Sequence, residues 1–467
     1  MKEITPRMVA SASRCLHFWY LECHGNPERR RPEEPRLGGT EGPEDSRRRR
    51  IVEWLPDLAE LVWEGLDPQA AFGKTLDLMK RGCPWIYKGV LLRKGMWGQP
   101  DLLRKVEGCS ALGNHSYAPL IVKPDRGPMT KRDLFELRTH ALLLEAVLGR
   151  KPRRGWAYLG PGEMVEIDLR TPLPEFELLL SDMERVRKGE LVTGGCRLSD
   201  CDTCAWRAHC ADLWEDSGHV CVLPGATPEV VAPLRDAGFP TWRRIAEVNP
   251  SRLVADAGIA PAQAMDLWLH ARARRDGAPV ARRRARFVED RPVHFVGVEF
   301  SGEDCFLLGS LRFFQGQGRP KQFLVESATR RNEGLIWRAF LDYLARDQNA
   351  VIFPWAGSEA RQLQLLWDRH GGCPALRKSL RTRAATLQRF VRAHFALPVN
   401  AYGLAEASAL FRRRRLSTGS LREAFATWEE TRDRDALKQV LDGHLEKLKA
   451  MRAVYFGLKA SQVSTGS

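Results

Sequence analysis

Four cysteines fall within residues 196–210, in the run GGCRLSDCDTCAWRAHC: Cys196, Cys201, Cys204 and Cys210. Thiolates this close in sequence suit a metal, because four of them complete a tetrahedral zinc site or ligate an iron–sulfur cluster. The remaining cysteines, Cys15, Cys23, Cys83, Cys109, Cys221, Cys305 and Cys373, are scattered. In a reducing compartment such a set is not a disulfide framework. A second pattern is clustered arginine: Arg47, Arg48, Arg49 and Arg50; Arg282, Arg283 and Arg284 with Arg286; and Arg412, Arg413, Arg414 and Arg415. Guanidinium groups match phosphate oxygens bidentately, so these runs point to nucleic acid. The eleven histidines form no H-x3-H or H-E-x-x-H pattern, and there is no G-x-x-x-x-G-K-[ST] loop for a nucleotide triphosphate.

The elements that must carry these groups belong to a chain of 467 residues, 43% apolar and 28% charged. That length predicts about three domains of ~150 residues. Lys plus Arg number 73 against 58 for Asp plus Glu, a formal charge of +15. No apolar run approaches the ~18 residues that span a bilayer, and the first residues, MKEITPRMVASAS, lack the apolar stretch of a signal peptide. The expectation is a cytoplasmic protein with no membrane partner.

Residues 1–24 read as a short helix with Leu16, Trp19 and Tyr20 on its apolar face and Cys15 beside it. Residues 25–46 read as a surface loop, and 47–80 as helices, with Ile51, Trp54, Leu55, Leu58 and Leu61 in steps of three and four. IYKGVLL, PDLLRKV and YAPLIVK are bounded by Gly, Pro, Asn and Ser, as strands are. Asp101 opens the second of these runs and Lys123 closes the third. A helix over 130–149 follows, stopped by Gly149, then strands GWAYLG and MVEIDLR, then a helix over 174–189. Residues 216–276 hold two helix–turn–helix pairs with Gly238 and Gly258 in their turns, compatible with a helix-hairpin-helix module. Residues 277–291 read as a basic linker. From residue 292 a second mixed domain begins: the hairpin VHFVGVEF/CFLLGSL, the strand QFLVES, a helix over 332–346, the strand AVIFPW and a helix over 358–369, then mostly helix.

The order of elements around residues 86–149 resembles the PD-(D/E)XK nuclease core. With the C-x2-C-x5-C cluster and the run GQPDLLRKV, the chain resembles the RecB-like nuclease family, which includes the iron–sulfur nuclease of CRISPR adaptation. It is similar to long members that add a helical spacer and an RNase H-like, DnaQ-type exonuclease domain. The resemblance implies an α/β multidomain architecture: a nuclease-like mixed sheet with flanking helices over 1–215, a helix-hairpin-helix-like spacer over 216–276 and an RNase H-like domain over 292–467. It implies that Cys15, Cys201, Cys204 and Cys210 ligate a 4Fe-4S cluster, clasping the first helix to the last. Zinc is the alternative, and Cys196 is an alternative to Cys15.

The resemblance also implies catalytic positions, and here the chain departs from the family. Asp101 and Lys123 stand where expected, but two residues before the lysine the family has Asp or Glu and this chain has Ile121. The stretch expected to carry His and Glu reads Asp45-Ser46-Arg47-Arg48-Arg49-Arg50, and the later helix offers Glu136 and His140. In the second domain the Asp-x-Glu strand reads Gly297-Val298-Glu299, a later acidic position reads Thr386-Leu387, and the last helix reads His444-Leu445-Glu446-Lys447-Leu448. One carboxylate does not hold two metals for in-line attack on a phosphodiester. The expectation is a degenerate nuclease that binds DNA or a DNA/RNA hybrid through Lys123 and the arginine runs, as a subunit of a larger assembly. Two alternatives stand. One is an active Mg²⁺- or Mn²⁺-dependent nuclease using Asp101, Lys123 and a relocated carboxylate, Asp125 or Glu136. The other is a protein-interaction scaffold. Trp85, Trp97, Trp156 and Trp206 are candidates for base stacking.

Overall fold

The structure, a computed structural model, describes residues 2–31, 55, 57–61, 67–123, 128–160, 163–198, 201, 204–347, 349–372, 386–413, 416 and 419–464. It divides into two compact units, residues 1–212 and 213–467. Among the described residues no helix is long and apolar enough to cross a membrane.

The first unit starts with two helices rather than one, α1 (Pro6–Ala12) and α2 (Leu16–His24), with Cys15 at the α2 N-cap. β1 (Leu58–Glu60) and α3 (Pro68–Lys80) follow. The sheet is then built from β2 (Trp85–Tyr87), a small hairpin of β3 (Leu91–Arg93) and β4 (Met96–Gly98), β5 (Leu102–Ser110) and β6 (Gly113–Val122). α4 (Lys131–Leu148) crosses to β7 (Arg154–Gly160) and β8 (Glu163–Asp168), and α5 (Pro174–Arg187) leads to α6 (Arg207–Ser217). The six-stranded order is β1-β2-β5-β6-β7-β8. β2, β5 and β6 are antiparallel neighbours, whereas β6 and β7 are parallel, as a strand–helix–strand crossover requires. The helical reading of 47–80 holds for α3. Leu58–Glu60 instead pair in parallel with Trp85–Tyr87, so sheet pairing overrides the local three-and-four spacing there.

α4 is delimited by its own sequence. Thr130 and Asp133 form a reciprocal capping box, and Gly149 ends the helix at φ 69°. Its apolar face, with Leu143, Leu144 and Leu148, packs with Met79, Ile86, Leu103 and Tyr117. Leu102, Ala118, Leu120 and Val122, one residue out of phase on the same strands, form a separate core with Tyr87 and Trp156. β6 is thus buried on both faces over its second half.

The second unit opens with four short helices, α7 (Pro228–Asp236), α8 (Trp242–Glu247), α9 (Pro250–Ala257) and α10 (Pro261–Asp276). Gly238 (φ 86°) turns α7 into α8, and Gly258 (φ 66°) turns α9 into α10. The segment expected as a basic linker is woven into the fold: β9 (Val280–Ala281) pairs with a strand more than a hundred residues on, and the backbone of Ala285 is bracketed by the Gln462 amide. Its apolar residues explain this, because Phe287 joins an aromatic cluster around Tyr455.

β10 (Val293–Ser301), β11 (Asp304–Phe314) and β12 (Gln317–Leu324) form an antiparallel meander. α11 (Arg330–Ala345) returns the chain to β13 (Val351–Pro354), parallel to β10, giving the order β12-β11-β10-β13. α12 (Gly357–His370), α13 (Leu387–His394), β14 (Phe395–Ala396, the partner of β9), α14 (Leu404–Ala409), α15 (Leu421–Thr431) and α16 (Arg434–Ser464) complete it. Alternate residues of β10 feed two cores: Val296 and Val298 pack with Trp337, Phe340 and Phe425, while Val293 and Phe295 pack with Phe353 and Tyr455.

α16 approaches the sheet closely because Gly297 and Gly309 are cross-strand partners with no side chains. The ring of His444 fills that space and is fully buried. A Cβ added at Gly297 would lie 2.6 Å from His444 Nε2. Gly297→Ala is therefore expected to destabilise the protein by about 1–3 kcal/mol through overpacking, read as a lower urea midpoint; an unchanged midpoint would refute this packing.

Candidate functional site

Because β5 and β6 are antiparallel with Leu102 opposite Leu120, Asp101 at the start of one and Lys123 at the end of the other meet at one end of this central strand pair. The Asp101 carboxylate accepts the Val122 N–H at 2.6 Å. Lys123 is buried, 2% exposed, and its Nζ donates to the Asp133 carboxylate at 2.5 Å and to the Pro128 carbonyl at 2.9 Å. Burial pushes the Asp133 carboxyl up, but the hydrogen bonds from Lys123 and Thr130 outweigh it, and the net position is below the usual carboxylate range. Asp133 was not anticipated from the sequence; its only signal, the Thr130-x-x-Asp133 capping box, reads as a helix start.

Ile121 is enclosed by Leu137, Ala141, Ala157 and Leu159, beneath α4. A carboxylate at this position would need compensation within an apolar layer. Glu136 is half-buried on α4, and His140, one turn on, is buried with no partner for Nδ1. Burial drives the His140 pKa down to about 3, so the ring is neutral. Asp125 lies outside the described residues.

The cysteines behave as a group. Burial raises the Cys15 thiol, and like charge from Cys201 and Cys204 adds to it. Burial raises Cys210 to about 12, with further contributions from Cys204, Cys15 and Cys201. These couplings bring Cys15, from the first helices, into one neighbourhood with three thiols nearly two hundred residues away. Cys23 is raised to about 11 by burial, and no other cysteine contributes to its shift. The docking of α2 has its own supports: Trp19 Nε1 donates to the Met183 carbonyl at 2.8 Å, and Trp206 Nε1 donates to Glu22 at 2.9 Å. Glu22 also pairs with Arg30 and Lys2. Among the described residues no three Cys, His, Asp or Glu donors converge at the spacing of ligands on a single ion. The donor set itself, four half-buried thiols outside any disulfide, fits thiolate-bound metal chemistry.

In the second unit Glu299, near the end of β10, faces α16. Its carboxylate accepts from Lys447 Nζ at 2.6 Å. Burial raises the Glu299 pKa; Lys447 works against that shift and the nearby Glu359 adds to it, leaving a net rise. Glu359, in the first turn of α12, accepts from the Ala356 N–H at 3.1 Å and the Ser358 hydroxyl at 2.9 Å. In the sequence nothing local distinguishes Glu359 from a helix-capping acid. The other expected acidic positions hold structural groups. Thr386 caps α13 by accepting from Arg389, His444 fills the gap over Gly297, and Glu446 pairs with Arg412 and Lys449.

The arginine runs divide. Arg282 is largely covered, pairing with Asp266 and His270, while Arg283 and Arg284 are exposed. Arg412 is engaged with Glu446, and Arg413 is exposed. Arg47, Arg48, Arg49, Arg50, Arg414 and Arg415 lie outside the described residues. Of the tryptophans, Trp156 and Trp206 are buried, and Arg104 stacks over both Trp85 and Trp156. Those rings serve packing.

The Lys123–Asp133 pair gives a pH signature. With its pKa lowered on folding, Asp133 contributes stability fully above about pH 4, lost as pH falls through the lower folded-state value. Asp133→Asn should flatten the fall in urea midpoint between neutral and acidic pH, and Lys123→Met should cost about 3–5 kcal/mol at pH 7 by leaving the carboxylate uncompensated. Equal slopes for wild type and Asp133→Asn would contradict the pair.

A family model described as RNase_H superfamily matches residues 296–456. No curated protein matches the chain. The matched span begins in β10, takes in the meander, α11, β13 and α12, and ends in α16, so it contains Glu299, Glu359 and Lys447. The second unit therefore carries an RNase H-like domain, a nuclease-type fold associated with nucleic acids.

Proposed function

We propose that the chain is an iron–sulfur-containing member of the RecB-like nuclease family whose two nuclease centres no longer cleave, and that it serves as a DNA- or DNA/RNA-binding subunit of a larger nucleic-acid-processing or defence assembly. The observation that carries this reading is the state of the two lysines: Lys123 is engaged by Asp133, and Lys447 by Glu299. Each centre is neutralised from within. Mg²⁺ wants several oxygen ligands in octahedral array, which a carboxylate already hydrogen-bonded to an ammonium serves poorly.

Several features support the family reading of the first unit. Its helix, three antiparallel strands, crossover helix and parallel strand follow the order expected of a PD-(D/E)XK core, with Asp101 and Lys123 at one end of the central strands. Cys15, Cys201, Cys204 and Cys210 are the residues that would hold a four-iron four-sulfur cluster, or zinc. Bound there, the group would clasp the start of α2 to Cys201, Cys204 and the first turn of α6. Nucleic-acid binding draws on the formal charge of +15 and on the exposed Arg283, Arg284, Arg286 and Arg413. The Gly238 and Gly258 turns, both exposed, suit helix-hairpin-helix contacts to phosphate.

A second reading, an active nuclease, is favoured by one feature: a carboxylate, that of Asp133, does stand beside Lys123. In that case Asp133→Asn would abolish cleavage.

Two measurements test the proposal. Protein prepared anaerobically should contain iron and absorb in the visible, and Cys15→Ser or Cys204→Ser should lose the iron; zinc in place of iron would remove the cluster, and no metal would remove the clasp. Affinity for DNA should fall linearly in log–log against salt, and Arg283→Ala with Arg284→Ala should reduce the slope by roughly two. Salt-independent affinity, or none, would leave a protein-interaction scaffold.

A further inference from the structure

We infer a further nucleic-acid contact on the RNase H-like domain: Arg312, Arg319, Lys321 and Arg346 form a phosphate-binding surface at the end of α11, away from Glu299 and Lys447. The inference deepens the binding reading above and rests on it, since the occupant is a phosphodiester backbone.

Strand register places these groups. β11 turns into β12 through Gln315 (φ 47°) and Gly316 (φ 81°), a two-residue turn with both φ values positive, which fixes the pairing. Arg312 then stands directly opposite Arg319, and Ser310 opposite Lys321. On its other side Arg312 is opposite His294 of β10. Residues two apart share a face, so both rows lie on the face that carries Val296 and Phe323. α11 covers the remainder of that face with Trp337 and Phe340 and ends beside the rows. Tyr343, in its last turn, has its ring centroid 5.8 Å from that of His294 and 6.0 Å from that of Phe323. The Arg346 guanidinium lies 6.0 Å from the Tyr343 ring, and the Lys321 ammonium 5.8 Å from the Phe323 ring.

Like charges directly opposite on neighbouring strands cost stability. One acid answers them: Asp347 accepts from Arg312 Nε at 2.5 Å and Nη2 at 2.9 Å, and meets His294 Nε2 at 3.0 Å. That grip orients the Arg312 guanidinium and leaves its Nη1 outside the pair. Arg319, Lys321 and Arg346 are exposed, and among the described residues no acidic group pairs with any of them. Arg319 donates only to the Gln317 side chain, at 3.3 Å. The fold gains nothing from this concentration of charge, whereas a polyanion does: opposed guanidinium groups match phosphate oxygens bidentately, and Lys321 adds a point charge. Glu299 lies five residues beyond His294 on β10, on the face of Val293 and Phe295, roughly 16 Å away along the strand. The surface therefore holds nucleic acid outside the nuclease-type centre.

The test uses the full chain with a fluorescein-labelled DNA duplex and a labelled DNA/RNA hybrid, read by anisotropy across a salt series. Arg319→Ala, Lys321→Ala and Arg346→Ala together should weaken binding at least about tenfold at low salt and reduce the log–log salt slope by roughly two to three. Arg154→Ala, Arg170→Ala and Arg185→Ala together remove the same charge from arginines paired with acids in the first unit, and should leave affinity and slope unchanged. Arg319→Thr alone should bind more weakly yet keep a urea midpoint no lower than wild type, because it relieves the opposition to Arg312; it decides if the triple variant does not fold. A folded variant of this surface that binds as wild type does overturns the inference and leaves the binding reading standing. Equal losses in the two triple variants overturn it as well, since bulk charge then accounts for them. Wild type that binds neither probe overturns both. Poly-glutamate bound by wild type and lost by the triple variant, with DNA binding unchanged, assigns the surface to an acidic protein and overturns the inference.

Discussion

An ionised carboxylate withdrawn from water must meet an opposite charge, and in this protein the charge it meets is a lysine of the same chain. The constraint acts at the end of β10, where Glu299 faces Lys447, and at the end of β6, where Lys123 faces Asp133. In each unit the pair joins a strand end of the sheet to a neighbouring helix, so the same contact that neutralises the centre also sets the position of the helix. Removing Lys447, or either member of the Lys123–Asp133 pair, would leave a largely enclosed charge, which is more damaging than never having placed it there.

The packing around each pair follows. In the RNase H-like domain, side-chain-free Gly297 and Gly309 let α16 come close, His444 fills the gap in neutral form, and Tyr455, three turns later, closes the opposite core with Phe295, Phe353 and Phe390. In the first unit Ile121 completes an apolar layer under α4 where a metal-binding carboxylate would have disrupted it. Positions where the resemblance expects acidic residues are thus filled by groups that pack. That pattern is coherent with the proposed scaffold kept for binding.

Much of this architecture is legible in the sequence where local signals are strong. The strands of the first sheet are bounded by Gly, Pro and Asn, and α4 announces both ends, through Thr130 and Gly149. Elements fixed by distant partners are not legible. β1 is three residues long and is a strand only because Trp85–Tyr87 lies beside it. The segment around Phe287 looks like a linker because its many arginines mask the few apolar residues that hold it. The candidate site shows the same division: the cysteines stand out by type and spacing, and Asp101, Lys123 and Glu299 only through the family resemblance. Asp133 and Glu359 are disguised as helix caps, and the meaning of Lys447 depends on a partner 148 residues away.

The central claim, binding without cleavage, is tested most directly by incubating anaerobically prepared full-length protein with end-labelled single- and double-stranded DNA in Mg²⁺ or Mn²⁺. A shifted but intact label is the expected result. Degradation that ceases on Asp101→Ala would contradict it, and would mean that the centre at the end of β6 still assembles a metal despite the Lys123–Asp133 pair.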